Sequence, residues 1–98
     1  RALAKNQRIT VPAAVVGEWW RGRTDVRDTL LQSVDVEPLT EALAKLAGEA
    51  LGSVKGATLV DAVVMASAAS RSDVVYSSDV GDLERLRRRF PGVRVLSV

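Results

Sequence analysis

The 98-residue sequence contains no cysteine and no histidine. Without cysteine there are no disulfides, zinc–thiolate sites or thiol nucleophiles, which is typical of a cytoplasmic protein. Without histidine there is no Ser-His-Asp hydrolase and no imidazole metal site. If this chain binds a metal or catalyses a reaction, carboxylates are the available groups. Sites built from oxygen ligands favour Mg²⁺, Mn²⁺ or Ca²⁺.

Long apolar runs are also missing. None approaches the roughly 18 residues needed to span a bilayer, and no signal peptide is visible, so we expect no membrane partner. The GxGxxG and GxxxxGK[ST] phosphate loops are absent, so no motif supports nucleotide binding. A content of 47% hydrophobic and 27% charged residues is ordinary for a globular chain. We expect residues 1–98 to form one small domain.

Hydrophobic periodicity and capping residues predict an α/β fold. After the end of a helix at 1–6, the pattern predicts strands at 8–11, 34–37, 74–77 and 93–98, and helices at 13–21, 24–33, 40–51, 58–69 and 83–90. Strands that alternate with helices imply a mostly parallel sheet with helices on both faces. Ligand sites in such sheets collect beyond the carboxyl ends of the strands.

Carboxylates occur at three positions that such a sheet could bring together. Glu18 lies in the helix after the first strand, Asp61 lies near the start of the most apolar helix, and Asp79 follows the strand at 74–77, with Asp82 three residues later. Converging carboxylates repel one another unless a divalent cation lies between them. The pattern therefore indicates a Mg²⁺ site, with Mn²⁺ as an alternative.

Each of these acids also has a purely structural explanation. Asp61 is three residues after Thr58, the spacing of a capping box. Asp79 could be an N-cap, with Asp82 stabilised by the helix dipole. Glu18 could pair with Arg21 at i, i+3. The residue pattern alone leaves these explanations open.

Five arginines and no acid occupy residues 85–94. Four of them are candidates for binding phosphate: Arg85, Arg87, Arg88 and Arg89. Arginine suits phosphate because its planar guanidinium makes two-pronged contacts. The alternative is a solvated helix end with cations near its C-terminus.

Three segments in order resemble the PIN domain, and most closely the VapC-type ribonuclease toxins of toxin–antitoxin modules: ITVPAAVVGEWWRG, TLVDAVVMASAA and VVYSSDVGDLERL. The similarity extends through the final strand. The resemblance implies a three-layer α/β/α fold with a mostly parallel central sheet. It further implies a cytoplasmic, Mg²⁺-dependent endoribonuclease that hydrolyses RNA with a metal-activated water, leaving a 5′-phosphate and a 3′-hydroxyl.

The resemblance also implies roles for particular residues. Glu18, Asp61 and Asp79 match acidic positions of the family, Asp82 matches an additional metal ligand, and Ser77 matches a small hydroxyl residue that helps to order the site. The resemblance makes the four phosphate-binding candidates among the arginines candidates for binding RNA. Members of the family commonly form homodimers and are inhibited by a cognate antitoxin. Of the adjacent Trp19 and Trp20, we expect one in the core and the other half-exposed at a partner contact.

The sequence departs from the family at its start. The family's first strand ends in an aspartate, whereas residues 1–17 contain no acid. We expect the missing strand and helix to precede Arg1 in the complete molecule. The alternative is a truncated product with weak or no activity, which leaves open a non-catalytic module that binds nucleic acid or antitoxin.

Overall fold

The computed structural model describes residues 9–21, 31–77 and 80–97, and Trp19 in backbone only. The helix end expected at 1–6, most of the helix expected from residue 24, Asp79 and Val98 lie outside these residues. Residues 2–39 and residues 40–98 form two compact units. The expectation of a single domain therefore remains a prediction.

The first unit is a strand–helix–strand arrangement. Strand β1 (Ile9–Pro12) and strand β2 (Val34–Glu37) pair in parallel, with Ile9 opposite Val34. Parallel neighbours need a long crossover, and helix α1 (Ala13–Trp20) lies in that crossover and contacts both strands. Pro12 ends the strand, where its missing N–H costs little. The Trp20 side chain is 39% exposed, as we expect of one tryptophan of the pair.

The second unit contains helix α2 (Glu41–Leu51), helix α3 (Leu59–Ser70), strand β3 (Val74–Ser77), helix α4 (Gly81–Leu86) and strand β4 (Arg94–Ser97). β3 and β4 pair in parallel, with Val74 opposite Arg94 and Ser77 opposite Ser97. The described strands therefore form two small parallel sheets, which confirms a mixed α/β protein.

Helix α3 forms the centre of this unit. Its buried residues surround most of the helix: Ala62, Val63, Met65, Ala66, Ser67 and Ala68. It packs against α2, whose buried side chains are Leu43, Ala47 and Ala50. Burial of a side chain the size of Met65 contributes about 1.5–3 kcal/mol. The apolar composition of α3 predicts burial on more than one side, and the structure confirms this.

Two sequence predictions need correction here. The helical spacing of Leu43, Leu46 and Ala47 predicts that all three lie on one buried stripe of α2, but Leu46 is 44% exposed. The last helix, expected at 83–90, ends at Leu86, with Arg87 as its C-cap. Beyond it the backbone makes i→i+3 bonds in place of helical ones, and Pro91 disfavours helical backbone at Phe90. Residues 87–90 form turns instead, in which the Phe90 N–H donates to the Arg87 carbonyl at 3.1 Å.

No helix within the described ranges is long and apolar enough to cross a membrane.

Candidate functional site

Asp61 lies in the first turn of α3 and takes part in a capping box. Its backbone N–H donates to Thr58 Oγ1 at 3.1 Å, and its Oδ2 accepts the Thr58 N–H at 3.4 Å. The carboxylate therefore satisfies an N–H group that the helix cannot satisfy itself. Its other oxygen, Oδ1, takes no part in the capping box. The structural explanation of Asp61 is correct, and it leaves one oxygen atom for a ligand.

Glu18 forms the ion pair that its spacing predicts. Its Oε2 lies 3.0 Å from Arg21 Nε, and both side chains are substantially exposed. Exposed i, i+3 pairs of this kind contribute only a few tenths of a kcal/mol. Glu18 belongs to the first unit, whereas Asp61 and Asp82 belong to the second.

Asp82 lies in the first turn of α4 and forms an ion pair with Arg85. The N-cap of this helix is Val80, which makes no side-chain cap, so the explanation of Asp79 as the N-cap is wrong. The Asp79 side chain lies outside the described residues. Ser77 is the last residue of β3, and Asp79 follows it by two positions.

The carboxylates of the described residues do not form a cluster. Across 9–21, 31–77 and 80–97, no three Asp or Glu side chains form a group that could hold a metal ion. The candidate ligands within those ranges are Glu18, Asp61 and Asp82, and each has a partner three residues away along the chain.

The four candidate RNA-binding arginines differ in their surroundings. Arg87 is engaged within its own unit: its Nε donates to the Val93 carbonyl at 3.1 Å, and its Nη1 lies 3.1 Å from Glu84 Oε1. Arg85 shares its charge with Asp82. Arg88 and Arg89 are exposed and make no ion pair with a described residue. The arginine cluster is therefore not one uniform surface.

A cleft of about 640 Å³ lies in the second unit, between the loop after α2 and the end of α4. Its lining includes Lys55, Arg85 and Arg88. Lys55 lies some 30 residues from the arginines in the sequence, so no local pattern links it to them. Its position between two glycines, Gly52 and Gly56, was the available signal, since a loop of that kind can approach another element closely.

No protein-family model matches this chain, and no curated protein matches it. The resemblance to VapC-type toxins therefore depends on the three sequence segments.

Proposed function

We propose that this chain is a Mg²⁺-dependent endoribonuclease toxin of the VapC type. The observation that carries the proposal is the relation between α3 and β3. Only Arg71–Asp73 separate the two elements, and they contact each other, so they run in opposite directions. The amino end of α3, with Asp61, and the carboxyl end of β3, which Asp79 follows, therefore lie at the same end of this pair.

The fold supports this proposal at a coarser level. Both described strand pairs are parallel, and a helix lies in each crossover, as α/β proteins require. The proposal adds the finer architecture of the PIN domain, with three α/β/α layers around one mostly parallel central sheet. Carboxylates at the carboxyl end of a strand suit that architecture, because ligand sites form there.

The donor set suits a hard cation in its chemistry, since Asp61, Asp79 and Asp82 offer only carboxylate oxygens. The capping box leaves Asp61 Oδ1 available, whereas Asp82 would have to share its carboxylate with Arg85. Glu18 pairs with Arg21 within the first unit. Bound Mg²⁺ would supply Lewis-acid stabilisation of charge on a phosphoryl oxygen.

Other residues of the chain have supporting roles in the proposal. Ser77 orders the carboxyl end of β3, and arginines near α4 hold the phosphates that flank the cleaved bond. We further propose a cytoplasmic homodimer that a cognate antitoxin inhibits. The partly exposed Trp20 suits a contact of this kind, because tryptophan is enriched in protein interfaces.

The test of this function is cleavage of single-stranded RNA with Mg²⁺ by the protein and by its Asp79→Asn variant. Asparagine has nearly the same shape but lacks the charge that holds a cation. We expect the wild type to cleave and the variant to lose cleavage while keeping its circular dichroism spectrum. Full activity of Asp79→Asn would remove the mechanism.

A second candidate is a non-catalytic module that binds nucleic acid or an antitoxin. It is favoured by the local partners of Glu18, Asp61 and Asp82, which explain each of these acids without a metal. Titration calorimetry with Mg²⁺ and Mn²⁺ separates the two candidates. Metal binding that Asp79→Asn weakens supports the nuclease, whereas RNA binding without any metal binding supports the module.

A further inference from the structure

The cleft of the second unit brings together cations that are distant in sequence. Lys55 comes from the loop between α2 and α3, whereas Arg85 and Arg88 come from α4 and the turn after it. Its volume of about 640 Å³ is within the roughly 300–1,000 Å³ of typical ligand sites. Three cations from the loop, from α4 and from the turn after α4 therefore line one concave surface.

The charges of this cleft are only partly neutralised. Glu84 also lines it, but Arg87 pairs with Glu84 at 3.1 Å. Arg85 pairs with Asp82. Lys55 and Arg88 make no ion pair with any residue that the structure describes, so an anion in the cleft would meet two cations without competition from a described carboxylate.

Arg87 differs from its neighbours because its guanidinium holds the turn before β4. It donates to the Val93 carbonyl at 3.1 Å, and Val93 is fully buried. Removal of Arg87 would therefore disturb the fold as well as the charge. This separates Arg87 from Arg85 and Arg88, which line the cleft.

Gly56, the residue after Lys55, lies beside the Arg85 side chain. Gly56 has φ +86°, which other residues rarely adopt, and an added Cβ would lie 3.1 Å from Arg85 Nη2. The loop therefore lies close to the Arg85 guanidinium, and Lys55 and Arg85 line the same cleft. The Ser53 hydroxyl, by contrast, donates to the Ala50 carbonyl at 3.1 Å, so it is not a free donor for a ligand.

We propose that this cleft binds the phosphodiester backbone of single-stranded RNA, with Lys55 and Arg88 as its principal contacts and Arg85 in support. The inference rests on the proposed function for its choice of RNA. Lysine provides a compact point charge for a phosphate, and arginine can contact two phosphate oxygens at once. Contacts of this kind bind RNA without reading its bases, as backbone recognition does.

The test is the salt dependence of RNA binding, measured by fluorescence anisotropy with a labelled single-stranded oligonucleotide in EDTA. Chelation prevents Mg²⁺-dependent cleavage, so the result does not depend on the nuclease mechanism. The Lys55→Gln/Arg88→Gln double variant removes two positive charges from the cleft. The control, Lys45→Glu, changes the net charge by the same amount on the exposed face of α2.

We expect the affinity of the double variant for RNA to fall less steeply with salt than that of the wild type, by about 1.4 in the slope of log affinity against log salt. The ratio of wild-type to variant affinity should therefore be about 25-fold larger at about 0.1 M salt than at about 1 M. Lys45→Glu should keep nearly the wild-type slope. Equal losses in both variants would show that net charge alone controls binding and would overturn the proposal. An unchanged slope in the double variant, or no RNA binding by the wild type, would also overturn it.

The two proposals can fail separately. RNA binding through the cleft without any Mg²⁺-dependent cleavage would remove the nuclease and leave the cleft. If the double variant cleaves RNA at the wild-type rate and binds it with the wild-type affinity, the nuclease remains and the role of the cleft is removed. Circular dichroism and thermal unfolding of each variant confirm that the fold is intact, which we expect because Lys55 and Arg88 are exposed.

Discussion

The two ends of helix α3 satisfy their backbone groups in different ways. At the amino end, the side chains of Thr58 and Asp61 form a reciprocal capping box. At the carboxyl end, the backbone itself closes the helix in a Schellman motif. Asp73 N–H donates to the Ala68 carbonyl at 2.9 Å, and Ser72 N–H donates to the Ala69 carbonyl at 3.3 Å.

The difference shows where residue identity matters. The amino end needs particular side chains, so a carboxylate there has a structural reason to be present whether or not it binds a metal. The carboxyl end needs a backbone conformation, in which Ser72 has φ 52° although glycine would adopt it at lower cost. A charged residue at a helix start therefore needs a test that separates capping from chemistry.

The largest effect we expect comes from Asp61→Asn. The amide keeps an oxygen that can accept the Thr58 N–H, but it removes the charge that a cation needs. Mutation of a residue that only orients a metal ligand lowers metal affinity or activity by about 10–100-fold. Loss of a direct ligand should therefore lower the rate of RNA cleavage by about 100-fold or more. The measurement is the initial cleavage rate with Mg²⁺.

The matched control for that prediction is Thr58→Ala, which breaks the capping box and keeps the carboxylate. It should cleave at close to the wild-type rate. If Thr58→Ala and Asp61→Asn reduce cleavage equally, Asp61 acts only through the helix end.

The next effect in size is Gly56→Ala, in the loop that precedes α3. A Cβ at φ +86° is strained, and it would also press on Arg85 Nη2. We expect a loss of about 1–2 kcal/mol in the free energy of unfolding, measured with urea. Gly48→Ala is the control, because Gly48 lies within α2 with nothing within 4 Å of an added Cβ. That variant should gain about 0.5–1 kcal/mol, and destabilisation by both substitutions would contradict this explanation.

Thr58→Ala should lower stability by about 1 kcal/mol, because the N–H of Asp61 loses its acceptor. Urea unfolding measures this cost. Thr58→Ser is the comparison, since its hydroxyl can cap the helix in the same way. Equal stability of the alanine and serine variants would show that the hydroxyl does not contribute.

The smallest effect is at the other end of the helix. Ser72→Gly relieves the left-handed conformation but makes the unfolded chain more flexible, so we expect a net gain of only about 0.5 kcal/mol. The same urea measurement detects it. A loss of stability would mean that the Ser72 side chain contributes to the folded state.

Local signals in the sequence were sufficient for several elements of the fold. The strands at Val34–Glu37 and Val74–Ser77 have the predicted bounds, and Thr40 caps α2 through a bond from Leu43 N–H of 3.2 Å. Such features depend on residues within three or four positions of each other. The same locality explains why the partners of Glu18 and Asp61 could be predicted.

Other features depend on contacts beyond one turn of a helix. α4 ends at Leu86 although the apolar pattern continues to Phe90, and the bond from Arg87 Nε to the Val93 carbonyl holds the turn that follows. Leu46 fits the stripe of α2 and is nevertheless exposed, because packing against α3 covers only part of that face.

The amino-acid sequence by itself determined the caps at Thr40 and Thr58, the bounds of two strands, and the carboxylate chemistry that is available without histidine or cysteine. Only the tertiary structure decided which strands pair, in which register, and that Lys55 joins Arg85 and Arg88 around one cleft. The physical reason is the separation of the interacting residues along the sequence. Caps and ion pairs at i, i+3 form within one turn of a helix, whereas a cleft forms only when distant segments of the chain fold against each other.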